Sequence, residues 1–232
     1  MKNGISTDWI ERLMEHPGLL RMGHGQRAED RNLGLGWLYY ALGRILRPRR
    51  AVVIGSYRGF VPLVMAKALQ DNLEKGELTF IDPSLADDFW ADEDRVRRYF
   101  LDLGSENVRH FRMTTQEFVG TEDYRALGQV GLVFIDGYHT AEQAQFDYEA
   151  FEKLLEPRGF VLFHDSLVVR DDKVYGAEKA YPMSVKHFID RLKSDSSLQL
   201  FDLPFGATGL TLLRKVEWDP ARSLHDWLDG PP

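Results

Sequence analysis

Cysteine is missing altogether from the 232-residue chain. Disulfides, zinc–thiolate centres and cysteine nucleophiles are therefore excluded, and a cytoplasmic protein is the expectation. Long apolar runs are lacking too: none approaches the ~20 residues that a membrane-spanning helix needs. The opening residues Met1, Lys2, Asn3 and Gly4, followed by Asp8 and Glu11, hold no apolar signal core. Positive charge is in deficit, with 29 Lys and Arg against 36 Asp and Glu, a net charge of −7. Phosphate backbones would be repelled, so no nucleic-acid partner is expected, and no membrane partner either. The one basic cluster, Arg44, Arg47, Arg49 and Arg50, falls at the end of a predicted helix, where cations complement the helix dipole. Linkers, low-complexity tracts and internal repeats are absent, which points to one cooperative domain.

What is present is ordinary globular material, 44% apolar and 28% charged. Asp8 with Glu11 reads as a capping box for a short helix ending near Pro17-Gly18, and a second helix is expected from about Glu29 to Leu46, closed by Pro48. The runs Ala51–Ile54, Leu78–Ile81, Gly131–Ile135 and Phe160–Phe163 are short and dense, as strands buried on both faces are. Val108–Met113 is a weaker strand. Helical stretches lie between, at Val61–Lys75, Asp92–Leu103, Gln116–Ala126, Ala141–Leu155 and Ser184–Lys193, with Gly76 and Gly104 at expected positive-φ helix ends. Leu198–Leu203 and Thr208–Lys215, joined by Pro204-Phe205-Gly206-Ala207, form a hairpin. The expected fold is α/β: a doubly wound, mostly parallel, seven-stranded sheet closed by a C-terminal antiparallel hairpin. It divides into an N-terminal helical segment (1–48), the sheet domain (49–216) and a tail (217–232) in which Trp218, Leu224, Trp227 and Leu228 make an amphipathic pattern suited to packing on the domain or on a second copy, as in a homodimer.

In such sheets, ligands bind beyond the carboxyl ends of the strands. The first strand ends in Gly55-Ser56-Tyr57-Arg58-Gly59, the second in Asp82, the fourth in Asp136-Gly137-Tyr138-His139 and the fifth in His164-Asp165-Ser166. One aspartate at a strand end is often only a helix cap or turn residue; three, beside a glycine turn, point to a site. Asp82 is placed to accept both ribose hydroxyls of an adenosine. A dinucleotide needs small residues at the second and third glycine places, which here hold Tyr57 and Phe60, so a nicotinamide oxidoreductase is disfavoured.

Val53-Ile54-Gly55-Ser56-Tyr57-Arg58-Gly59-Phe60, Ile135-Asp136-Gly137-Tyr138-His139, Pro157-Arg158-Gly159-Phe160-Val161-Leu162-Phe163-His164-Asp165 and the closing Gly206–Lys215 resemble class I S-adenosylmethionine-dependent methyltransferases, in particular the family 24 group of macrocin-type O-methyltransferases and proteins named cephalosporin hydroxylases. The resemblance runs from about Ala51 to Lys215. It implies that the turn Gly55, Ser56, Tyr57 and Gly59 cradles the methionine end of the cofactor, that Asp82 binds the ribose, and that Thr114, Thr115 and Gln116 lie beside the adenine. Val53 stands where the family usually has an acidic residue for the cofactor's ammonium, leaving that role to Asp136 or a backbone carbonyl. Its implied activity is O-methylation of a small hydroxylated acceptor; the alternative is a relative that binds cofactor without catalysis.

Transfer of a methyl group to oxygen requires the acceptor to be positioned and deprotonated. Asp136 and Asp165 end neighbouring strands and could share Mg²⁺ or another divalent cation, with Ser166 as a weaker third ligand. Strand alternation directs His164 away from them. In catechol O-methyltransferases, which the chain resembles more distantly, a lysine at the place of His139 acts as general base, so His139 reads either as general base or as an idle histidine at a helix N-terminus. Trp90 reads as a helix staple more readily than as a pocket wall, and Leu167–Tyr181 as a long loop of the kind that forms lids.

Overall fold

The computed structural model describes residues 4–20, 23–172 and 181–216, so the tail and part of the 167–181 stretch lie outside the described residues. In chain order the elements are α1 (Thr7–Met14), α2 (Pro17–Leu20), α3 (Gly36–Leu46), β1 (Arg50–Ile54), α4 (Phe60–Asp71), β2 (Glu77–Ile81), a 3₁₀ turn (Asp88–Trp90), α5 (Glu93–Asp102), β3 (Val108–Phe111), α6 (Thr115–Phe118), α7 (Glu122–Ala126), β4 (Val130–Ile135), α8 (Ala141–Glu152), β5 (Leu155–His164), β6 (Arg170–Asp172), β7 (Tyr181–Met183), α9 (Val185–Leu192), β8 (Leu198–Leu203) and β9 (Leu210–Lys215).

Seven strands form one sheet in the order β3-β2-β1-β4-β5-β9-β8. The first five run parallel, β9 is antiparallel to β5, and β8 is antiparallel to β9. The apolar runs are continuous because both faces are covered. Val53, Phe80, Phe134 and Leu162 pack beneath the N-terminal helices and α4 and α5, while Val52, Ile54, Ile135 and Phe163 pack beneath α8 and α9. Each fully buried valine or phenylalanine of this kind contributes roughly 1.5–3 kcal/mol. The chain moves outward one way through β2 and β3, and the other way through β4 and β5. The strand order therefore reverses between β1 and β4, and that reversal places the ligand crevice above their carboxyl ends.

Several local expectations need correction. The first helix is capped by Ser6, whose hydroxyl accepts from Trp9 N–H, rather than by Asp8. The second begins at Gly36, not Glu29, because Arg27 and Asn32 pair as a β-bridge and turn the chain back on itself. Gly34 makes that knuckle possible: its φ is 56°, and a Cβ there would stand 2.2 Å from the His24 carbonyl. The stretch 116–126 is two helices, since the Thr121 hydroxyl accepts from Tyr124 N–H and starts a new one. At the end of α4 the positive φ belongs to Lys75, and Gly76 is not the left-handed residue. Residues 170–172 and 181–183 pair as an antiparallel hairpin base, so the stretch after β5 is not simply a loop.

Candidate active site

The crevice holds a cavity of about 450 Å³. At one end, β1 turns into α4 through Gly55, whose φ is 71° and whose missing Cβ would stand 2.3 Å from the Asp136 carbonyl. This close approach of two strand ends is the reason glycine is required there. Ser56 N–H donates to Asp82 Oδ2 at 3.2 Å and Ser84 N–H to Oδ1 at 2.8 Å, so the Asp82 carboxylate is fixed at the cavity wall. Burial, opposed by those two hydrogen bonds and reinforced by the charge of Asp136, raises Asp82 to about 6. The Ser56 hydroxyl is buried beside it with no partner among the described residues. An orphaned donor next to an anchored carboxylate is what a polyhydroxyl nucleoside would satisfy.

Tyr57 is 45% exposed and lines the cavity, with Arg58 stacked over its ring at 3.9 Å. Arg58 also makes a bidentate pair with Asp87 at 3.1 and 2.5 Å, which ties the 83–90 loop to the glycine turn. Gly59 takes a φ of 83° at the start of α4 and faces Trp90 rather than the cavity. Trp90 does both things considered for it: it packs against Phe80 and Phe100 and also forms part of the cavity wall. Val53 is buried in the sheet core and does not reach the cavity, whereas Asp136 does.

Thr114, Thr115 and Gln116 line another wall. Sequence reading missed their partners. Gln116 Nε2 donates to Gln143 at 2.8 Å, Gln143 Nε2 donates to Asp147 at 2.8 Å, and the Thr115 hydroxyl bonds the same carboxylate. Burial lifts Asp147 to about 6 against those bonds. A signal for them existed: His139, Gln143 and Asp147 recur every four residues and so share one line along α8 and its entry.

At the other end, Asp136, His139 and Asp165 converge. Each offers a ligand atom within 4.8 Å of the other two, a spacing suited to a metal ion. His139 Nδ1 lies 2.7 Å from Asp165 Oδ2, and its Nε2 lies 3.7 Å from Asp136 Oδ1. Burial opposes ionisation of Asp165, but the facing imidazoles of His139 and His164 override it and hold this carboxyl well below the usual range. An ionised carboxylate only accepts, so His139 carries its proton on Nδ1 and leaves Nε2 free to take one.

Two placements differ from expectation. Ser166 is fully buried and its hydroxyl pairs with Thr211 at 2.8 Å, so the structure does not bring it to the carboxylates. His164 points into the corner instead of away, with Nδ1 3.1 Å from Asp136 Oδ1 and 3.4 Å from Asp165 Oδ1. The cause is backbone. Asp165 adopts a φ of 51°, and a left-handed residue breaks the alternation that would have separated neighbours. Burial disfavours charge on His164, but Asp136 and Asp165 overcome it and raise the ring to about 10.

His24 was not foreseen either. It is 1% exposed, lines the cavity, stacks on Phe60, meets the His164 ring edge-on at 4.9 Å between centroids, and pairs through Nδ1 with the Tyr39 hydroxyl at 3.0 Å. Burial, then the neighbouring His164, lowers it to about 4, so it is neutral at physiological pH. No helix among the described residues is long and apolar enough to cross a membrane.

A reversed strand order and a closing antiparallel pair define a Rossmann-like methyltransferase fold. Residues 52–166 match a family model described as a methyltransferase domain, that of methyltransferase family 24. Over 135 residues it is 29% identical to an uncharacterized protein of Sinorhizobium fredii, a match that takes in 57% of this chain and 14% of that protein. Solved structures share the fold. An O-methyltransferase of Streptomyces achromogenes involved in tomaymycin synthesis, in complex with S-adenosylmethionine, superposes with a TM-score of 0.62 at 18% identity, covering 93% of this chain and 92% of that one. A Podospora anserina methyltransferase bound to S-adenosylhomocysteine gives 0.60 at 17%, covering 92% and 90%. An O-methyltransferase of Bacillus cereus gives 0.60 at 14%, covering 90% and 91%.

Proposed function

We propose that the protein is an S-adenosylmethionine-dependent O-methyltransferase for a small hydroxylated molecule, assisted by a divalent cation at the Asp136–Asp165 corner. One observation carries the reading: the anchored Asp82 with the orphaned Ser56 hydroxyl, and the Asp136–His139–Asp165 cluster, open into one cavity. The two carboxylates of Asp136 and Asp165, with the His139 and His164 imidazoles beside them, fit a cation. Bound cofactor supplies an electrophilic methyl group, and a cation at the corner supplies charge that favours the ionised acceptor hydroxyl.

The chain's own residues do the rest. Asp82 takes the ribose hydroxyls; Thr115 and Gln116, held by Gln143 and Asp147, flank the adenine. Asp136 reaches the cavity where Val53 does not, and is the carboxylate for the cofactor's ammonium side. Asp165 orients His139, whose Nε2 accepts the proton as the sulfur–carbon bond breaks and the oxygen–carbon bond forms. His24, from the N-terminal segment, walls the acceptor side. The buried Val53 favours the second reading, a cofactor binder without catalysis.

Calorimetric titration with S-adenosylhomocysteine, paired with transfer of labelled methyl groups to a panel of phenols, catechols and sugars with and without chelator, tests this. Saturable binding and labelled product support the first reading. Binding with no product on any acceptor selects the second, and no binding at millimolar ligand removes both.

A further inference from the structure

We propose that His164 is a cation ligand, so that the corner takes a divalent transition-metal ion in preference to magnesium. The inference deepens the reading above and rests on it for the role of the ion. His164 Nδ1 is closed off from solvent and lined up for no hydrogen bond, yet it stands 3.1 Å from one Asp136 oxygen and 3.4 Å from one Asp165 oxygen. A charge-assisted hydrogen bond would be straight and about 2.7–2.9 Å long. Ligand atoms held roughly 2.1 Å from a shared ion stand about 3.0 Å apart at an octahedral edge and about 3.4 Å apart at a tetrahedral one. The spacing at His164 is that of neighbours around an ion.

The other histidine is already committed. His139 Nδ1 sits on Asp165 at 2.7 Å, which leaves its Nε2 to the acceptor. His24 pairs with Tyr39 and does not pair with either carboxylate. In this proposal one nitrogen, His164 Nδ1, and one oxygen each from Asp136 and Asp165 would hold the ion, leaving other positions to substrate or water. Magnesium demands oxygen ligands, whereas imidazole draws manganese, iron, cobalt or zinc. Replacing the expected hydroxyl of Ser166 by the imidazole of His164 changes the chemical class of the ion.

The test uses the full chain stripped with a chelator and titrated by equilibrium dialysis with MgCl₂ or CoCl₂. Cobalt(II) absorption in the visible reports nitrogen ligation without any turnover. The expected result is one bound cobalt, held at least about tenfold more tightly than magnesium, with a resolved absorption band. His164→Asn and His164→Ala should each lose about ten- to a hundredfold of cobalt affinity and shift the band, with magnesium affinity unchanged. His139→Ala should keep the band. Equal affinity for the two ions, an unchanged band in both His164 variants, or loss of the band in His139→Ala alone would each overturn the proposal. The comparison of ions on the unmodified chain stands even if a variant fails to fold. S-adenosylhomocysteine titration in parallel separates the two claims: binding without cobalt preference sinks only this one, and cobalt preference without nucleoside binding sinks only the proposed function.

Discussion

Ser184 holds His139 by the backbone: its N–H donates to the His139 carbonyl at 2.8 Å. The Ser184 hydroxyl also accepts from Ala141 N–H at 2.9 Å, so one residue at the foot of the β6–β7 hairpin braces both sides of the turn into α8. Ser184→Ala leaves the Ala141 donor in the first turn without its partner. The expected loss is about 1 kcal/mol, a fall in melting temperature of about 2–4 °C for a chain this size. Ser184→Thr should restore it. An unchanged melting curve in the alanine variant would mean that the brace carries no stability.

On the proposed function, Asp82 should make cofactor binding pH-dependent. Burial, against the hydrogen bonds of Ser84 and Ser56, raises it from 3.8 to about 6. The ligand-free fold thus holds the proton more readily than the unfolded chain. The stability from this group is full below about pH 4 and declines as the pH rises to about 6. Binding runs the other way, because ribose hydroxyls donate to the ionised form. Affinity for S-adenosylhomocysteine should fall up to about tenfold per unit as pH drops below about 6. Asp82→Asn should bind weakly at every pH and show no such slope; a slope that survives in that variant assigns it to another group.

His139 and Asp82 should separate kinetically. His139→Ala removes the proton acceptor and leaves the nucleoside wall intact, so turnover should fall about 10²–10⁴-fold. Binding of S-adenosylhomocysteine by calorimetry should stay within about twofold, since removing an interaction made only in the transition state leaves ground-state binding in place. Comparable losses in both measurements would place His139 in the cofactor seat instead.

Arg58 and Asp87 close the glycine turn against the 83–90 loop. Isolated surface ion pairs contribute little, but this one is bidentate and sits between the rings of Tyr57 and Phe89, at 3.9 and 4.6 Å. Arg58→Ala should weaken S-adenosylhomocysteine binding about tenfold, equivalent to about 1.4 kcal/mol, with most of the change in the dissociation rate measured by stopped flow. An unaltered dissociation rate would show that the loop does not retain the ligand.

How much of this was legible in the sequence follows from how each residue is held. The strands were readable because residues such as Val52, Phe80 and Phe134 are buried on both sides of the sheet, and a greasy run needs no long-range information. Asp82, Asp136 and Asp165 were readable because strand ends in a doubly wound sheet face the crevice. His164 was not, because alternation holds only until Asp165 turns left-handed, and that dihedral has no signature in an aspartate. Ser166 was misplaced for the same reason, carried round to meet Thr211. His24 and Tyr39 were illegible because a loop folded by Gly34 and the Arg27–Asn32 bridge brings them to the cavity across a stretch whose periodicity reads as helix.

His24 enters the chamber from upstream of residues 52–166, the portion that matches the methyltransferase domain. The cavity floor is made of strand ends whose positions the sheet dictates, while part of the opposite wall is borrowed from a loop held by its own Arg27–Asn32 bridge rather than by the sheet. On the proposed function, grafting a different knuckle between Gly23 and Leu35 should alter which alcohols are admitted while leaving the nucleoside's half of the chamber as it stands.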